Sequence, residues 1–341
     1  MNILKKCLKV IIAGIVSIMI INLLLCLYEI VPIHIENSKG NTDYVWEPNS
    51  VWINATEGLS FGKYDANGYN NISVVDNPDI IVLGSSHMEG NQVMQDENAA
   101  YLLSEKLKDK YSVYNMSIAG HNFYKVCQYL PANLELYENA PKAVIIETDI
   151  VDLTQEKVDQ VLSSSVKRTQ SYSTGIISKL QKIPFVRDLY FQLEEGLFDL
   201  FMSGNSSASI SDETDSYSEM QVEEDAYEEL FSYLSKLEQQ YKTQIIICYH
   251  PTGELEEDGF ISFNSDGYLK AFSDYADKYD ISFIDMTDSF EEMYYKDNEV
   301  AHGFCTGELE TGHLNKYGHA ALADEIYNKI IELEENRELC Q

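Results

Sequence analysis

The chain has 341 residues, 45% of them hydrophobic, enough to bury a sizeable core in one large domain or two smaller ones. Lys and Arg number 24 against 56 Asp and Glu, and the resulting formal net charge of -32 repels nucleic acid and anionic lipid, which argues against a DNA or RNA partner. With 24 tyrosines present, the acidity reads as a solvated surface on a folded domain and not as the disorder that low hydrophobicity produces.

The first element in chain order is an uncharged run from Val10 to Tyr28. Its 19 residues, at about 1.5 Å each, give roughly 28 Å as a helix, close to the hydrocarbon thickness of a bilayer. Lys5, Lys6 and Lys9 precede the run and Glu29 and Glu36 follow it, so the positive-inside rule places the N-terminus in the cytoplasm. Everything after about residue 30 is then expected to be extracytoplasmic, on a single-pass anchor of residues 1–33 in the cell membrane. A retained anchor is favoured over a cleaved signal peptide because the run exceeds a usual h-region and is followed by Leu27-Tyr28-Glu29-Ile30, which is no A-x-A-like site. Cys7 and Cys26 fall in this segment, and Cys127, Cys248, Cys305 and Cys340 share no short spacing. That pattern gives neither a disulfide framework nor the C-x-x-C of a zinc ribbon.

Residues 34–78 carry Gly, Asn, Asp and Pro throughout without a sustained period, as expected of a stalk or connector packed on the domain at one edge of the site. Short Ile- and Val-rich runs follow at Ile80–Leu83, Val113–Met116, Ala143–Ile146, Ile245–Cys248 and Ile281–Ile284, each read as a fully buried strand. Between them lie helical patterns such as Tyr227, Leu230, Phe231, Leu234, Leu237 and Tyr241, then Tyr268, Leu269, Phe272 and Tyr275, and last Leu322, Ile326 and Ile330. Strands alternating with helices imply an α/β fold with a parallel sheet of about five strands covered on both faces. This domain is expected over residues 79–341, interrupted at about 154–222 by a helical insertion and the low-complexity stretch Ser203–Glu219. No repeat of 20–50 residues is evident.

In such folds ligands sit at the carboxyl ends of the strands. Ile80–Leu83 runs into Gly84-Ser85-Ser86-His87, where a serine hydroxyl can project from the sheet edge with a helix N-terminus behind it. Near the other end, Glu310-Thr311-Gly312-His313 precedes the last helix, and an acid three residues before a loop histidine can hold the tautomer that a general base needs.

Together these blocks resemble the SGNH (GDSL-like) hydrolase superfamily. That superfamily carries a Gly-Asp-Ser block after its first strand and an Asp-x-x-His block before its last helix, here altered to Gly84-Ser85-Ser86 and Glu310-x-x-His313. The family's oxyanion-hole glycine after the second strand is similar to Gly120 in Val113–Gly120. Its Gly-x-Asn-Asp block falls in Ile146–Asp152, where Val151 stands in place of the asparagine and Thr148 is the nearby hydroxyl. The match covers roughly residues 79–153 and 243–335. It implies a flavodoxin-like three-layer sheet and a serine esterase or O-acyltransferase, with Ser86 as nucleophile, His313 as base and Glu310 as its orienting acid. The oxyanion donors would be Ser86, Gly120 and Thr148.

The Gly-Ser-Ser variant and the anchor also resemble extracytoplasmic SGNH proteins that move acyl groups on cell-envelope polymers beside a polytopic membrane acyltransferase. That likeness implies an acylated carbohydrate or polymer substrate and such a membrane partner. A non-catalytic scaffold of the same fold is the other reading, favoured by Val151 and the Asp-to-Glu change. His87 and His250 are expected to line the site, and His319 to sit on the first turn of the last helix. Glu147, Asp149 and Asp152 have no histidine at a ligand spacing, so neither a metal nor another cofactor is expected.

Overall fold

Asn2–Tyr28 form one helix, α1, in a computed structural model that describes residues 2–163, 222–256, 259–263, 267–305 and 310–336, together with Ile183 and Val186. The segment Lys5–Tyr28 has a mean hydropathy of 2.9 and none of its best window is buried against the rest of the chain, so by length and composition it can cross a membrane. Below it the chain makes two antiparallel hairpins, β1 (His34–Glu36) with β2 (Tyr44–Trp46) and β3 (Val51–Asn54) with β4 (Ser60–Lys63). Irregular structure was the expectation for this stretch. Strands of three and four residues are too short to show an alternation of period two, which is why the pattern does not reveal them. Trp46, Trp52 and Tyr64 form a buried cluster of their own beneath the hairpins.

The expected apolar runs form the sheet. In chain order come β5 (Ile80–Leu83), α2 (Ser86–Glu89), α3 (Ala99–Leu107), β6 (Val113–Asn115), α4 (Phe123–Leu134), β7 (Ala143–Thr148) and α5 (Gln155–Leu162). After the undescribed part of the expected insertion follow α6 (Glu224–Tyr241), β8 (Gln244–Tyr249), a small hairpin of β9 (Gly253–Leu255) and β10 (Ile261–Phe263), and α7 (Gly267–Lys278). The chain then closes with β11 (Ser282–Asp285), α8 (Thr287–Glu292) and α9 (Lys316–Glu335). The stretch Ser203–Glu219 lies outside the described residues.

The five long-range strands are all parallel, in the order β6-β5-β7-β8-β11. This is the flavodoxin-like three-layer α/β order, with the chain reversing its direction of travel across the sheet between β5 and β7. Successive side chains of a strand point to opposite faces, so each Ile- or Val-rich run feeds two cores at once. Ile81, Leu83, Val144, Ile146, Ile245 and Ile247 pack with α4, α5, α6 and α7. Ile80, Val82, Ala143, Ile145, Ile246 and Cys248 pack with α3, α8 and α9. Each fully buried aliphatic side chain of this kind contributes about 1.5–3 kcal/mol. The carboxyl ends of β5, β7 and β8 thereby become a rigid rim.

Candidate active site

The turn after β5 has no room for a larger residue than glycine at its start. A Cβ on Gly84 would lie 2.4 Å from Glu147 Oε2 and 2.9 Å from Met88 Cβ. Glu147, buried at the end of β7, accepts from Ser85 N at 2.6 Å and from Ser85 Oγ at 3.2 Å. Ser85 Oγ in turn caps α2 by accepting from His87 N at 3.2 Å. The two serines are thus separated by role in the fold: Ser85 is tied into the turn, and Ser86 opens the helix with its hydroxyl directed at a histidine.

Gly120 is delivered to the same rim by the extension of β6, where Met116 N donates to Val82 O at 2.7 Å and Ile118 N to Gly84 O at 3.2 Å. Its φ of +81° suits glycine, and a Cβ there would sit 3.1 Å from the Tyr44 hydroxyl. The Tyr44 hydroxyl donates to Ala119 O, and buried Glu89 accepts from Ala119 N, from the Tyr64 hydroxyl at 2.7 Å and from Asn91 Nδ2 at 2.7 Å. Burial pushes the Glu89 carboxyl above its ordinary range, against the pull of those donors. Residues of the connector therefore brace the Gly120 loop directly.

His313 sits in the loop before α9. Gly303 N donates to His313 O at 3.1 Å, Asn315 N donates to Ala301 O at 2.9 Å, and the Asn315 side chain caps α9 by accepting from Tyr317 N at 2.8 Å. So held, His313 Nε2 lies 2.8 Å from Ser86 Oγ. Its Nδ1 lies 2.7 Å from Glu57 Oε2, an oxygen that also accepts from His313 N at 3.2 Å. Glu57 lies in the turn joining β3 to β4, and a Cβ on Gly312 would meet its carboxyl group at 3.4 Å.

The sequence expectation put Glu310 in that position, and the geometry places it elsewhere. Glu310 adopts a φ of +59°, is 1% exposed, and accepts from Ala301 N at 2.9 Å through Oε1, with Oε2 3.5 Å from His302 Nδ1. Its side chain turns into the loop's interior and braces it, away from the His313 ring. Glu57 precedes His313 by 256 residues, so no local spacing marks it.

Thr148 is likewise committed: its hydroxyl donates to Ile150 O at 3.0 Å and accepts from Ile150 N at 2.9 Å, closing the turn after β7. Val151 is buried in the core around α5 and α6. His87 lies beside His313 with ring centroids 4.9 Å apart and the rings tilted by 41°, and His319 is buried on the first turn of α9, where its Nδ1 accepts from Ala99 N at 3.2 Å.

His250, at the end of β8, is fully buried and bonds Glu147 Oε1 through Nε2 at 2.7 Å. Burial lowers the pKa of His87 to about 2 and those of His250 and His319 to about 3, so all three rings are neutral near neutral pH. Sequence reasoning missed His302. It lies with His87 and His250 such that a ring nitrogen of each is within 4.8 Å of the others. A groove of about 700 Å³ along α3, lined by residues such as Asn71, Tyr101 and Tyr111, contains none of these groups, so the chemistry and not the volume locates the site.

No protein-family model matches the chain, and no curated protein matches it. Among solved structures it is similar to an acetyl xylan esterase at 14% identity, covering 74% of this chain and 99% of that one with a TM-score of 0.42. It is also similar to a lipolytic protein of the G-D-S-L family from Desulfitobacterium hafniense at 12% identity, with 73% and 97% covered and a TM-score of 0.38. A GDSL-like lipase from Bacteroides thetaiotaomicron is similar at 12% identity, with 74% and 87% covered and a TM-score of 0.34.

Proposed function

We propose that this chain is a membrane-anchored serine hydrolase or O-acyltransferase that acts on acylated carbohydrate or polymer of the cell envelope. The observation that supports it most is the hydrogen-bonded series Ser86 Oγ, His313 Nε2, His313 Nδ1 and Glu57 Oε2, with steps of 2.8 and 2.7 Å, at the carboxyl edge of a parallel sheet. In this reading His313 takes the Ser86 proton as Oγ attacks an ester carbonyl. The backbone N–H groups of Ser86 and Gly120 hold the oxyanion, and Glu57 stabilises the imidazolium. His313 then returns the proton to the departing alkoxide, leaving an acyl group on Ser86. Water releases that acyl group in an esterase, and a sugar or polyol hydroxyl accepts it in a transferase.

The anchor supports an extracytoplasmic placement, with Lys5, Lys6 and Lys9 on the cytoplasmic side of the apolar run. A polytopic membrane acyltransferase that passes acyl groups to Ser86 fits the transferase form of this reading. The test is labelling of the full chain by a fluorophosphonate probe together with turnover of an activated acetyl ester. Ser86→Ala is expected to abolish labelling and to lower kcat by at least about 10³-fold, with Ser85→Ala still labelled. Absence of labelling in folded wild-type protein would instead support a non-catalytic scaffold of the same fold.

A further inference from the structure

We propose that His87, His250 and His302 form a binding site for one zinc ion next to the Ser86 turn. The three rings come from α2, from the end of β8 and from the loop before α9, and their centroids lie 4.7 to 5.8 Å apart. His250 and His302 are both 0% exposed. Among the described residues, neither nitrogen of His302 has a hydrogen-bond partner, and Nδ1 of His250 has none either. A buried polar atom left without a partner is destabilising, and three such atoms in one small volume need a common explanation. A metal ion that takes a lone pair from each ring supplies one.

The carboxylates behind the rings fit the same explanation. A ligating imidazole typically donates its other N–H to a carboxylate, which fixes the tautomer and aims the free lone pair. Glu147 Oε1 holds His250 Nε2 at 2.7 Å, leaving the Nδ1 lone pair for the ion. Glu310 Oε2, itself buried without a hydrogen-bond partner among the described residues, lies 3.5 Å from His302 Nδ1, and a small approach makes it the acceptor that frees His302 Nε2.

His87 is the weakest of the three ligands, because its Nδ1 already accepts a long hydrogen bond, 3.3 Å, from Leu314 N that must yield or be turned away. Three neutral imidazoles favour zinc over the hard cations that prefer oxygen. Zn–N bonds of about 2.0–2.1 Å set tetrahedral ligand nitrogens roughly 3.3–3.4 Å apart, so nitrogens now within 4.8 Å close by less than about 1 Å each. Three protein ligands leave a fourth position for water or a substrate oxygen. The site does not depend on Ser86 being a nucleophile.

The experiment is a zinc titration, in competition with a chromogenic chelator, of the untagged full chain in detergent after chelator stripping. One zinc per chain is expected. His302→Ala should weaken binding by at least about 10²-fold and Glu310→Gln by about 10–100-fold, with His87→Ala costing least. Folded wild-type protein that binds no zinc, or His302→Ala that binds it with wild-type affinity, overturns the proposal. Cobalt(II) loaded into the wild-type chain guards against variants that fail to fold: a visible ligand-field spectrum of tetrahedral nitrogen ligation is expected, and its absence is equally decisive against the site.

Discussion

Glu238 lies in the last turn of α6, where its Oε1 accepts from Ile245 N at 2.6 Å and from Gln244 Nε2 at 3.1 Å. Burial is the largest influence on it, and together with the charge of Asp280 it outweighs the Ile245 hydrogen bond and raises the pKa from 4.5 to about 8. The folded state therefore binds a proton more tightly than the unfolded chain does. The stability this carries is complete below about 4.5 and is lost as pH rises through about 8. Thermal unfolding of the wild type should accordingly show a melting temperature that falls between about pH 5 and pH 8, and Glu238→Gln, which keeps the acceptor without the charge, should show a shallower fall. Equal slopes would mean that Glu238 is ordinarily ionised in the folded protein. The acids near the site differ in the groups they bond. Glu310 satisfies the loop through Ala301 N, Glu147 satisfies the turn through Ser85 N, and Glu57, about a third exposed, is the carboxylate that meets the ring of His313.

At the scale of elements, the β3–β4 hairpin carries Glu57 and is held down by Trp52, which is 2% exposed and packs where a Cβ on Gly62 would lie 2.5 Å from its ring. Trp52→Ala should destabilise the protein by about 3–5 kcal/mol in denaturant unfolding. It should also reduce probe labelling of Ser86, because the hairpin that presents Glu57 loosens. Retained labelling with the full stability loss would separate the hairpin from the site. The central strands β5, β7 and β8 were legible in the sequence because they are buried on both faces and so read as runs of Ile and Val, whereas the edge strand β11 (Ser282–Asp285), expected to be fully buried, keeps only Ile284 buried. The hairpins were not, since strands as short as His34–Glu36 and Ser60–Lys63 leave no period to detect, and their Asn, Gly and Asp turns look like loop throughout. Ser86 and His313 were legible because a strand end and a helix start mark them locally. Glu57 and His302 have no such marker: the first sits in a short hairpin, and the second in a loop whose bridge to Leu314 exists only in the folded chain.

At the scale of the whole molecule, the uncharged run Val10–Tyr28 of α1 is long and apolar enough to cross a membrane, whereas the -32 net charge of the chain is repelled by an anionic surface. In the proposed orientation, protease added to intact cells should digest the residues after about 30 and spare the N-terminus, whereas full protection of the domain would contradict it. The site itself is a whole-molecule property. It joins residue 57 of the N-terminal hairpins, residue 86 of the first sheet strand's turn and residue 313 before the final helix, across separations of 227 and 256 residues. The account stands on that junction, and kcat of Glu57→Gln in the full chain tests it most directly. Removal of the charge while its shape is kept should lower kcat by on the order of 10³-fold or more, with little change in KM, because the imidazolium that needs this counter-ion forms only as the reaction proceeds. A folded Glu57→Gln protein with near-wild-type kcat would contradict the assignment of Glu57 as the partner of His313 in the reaction.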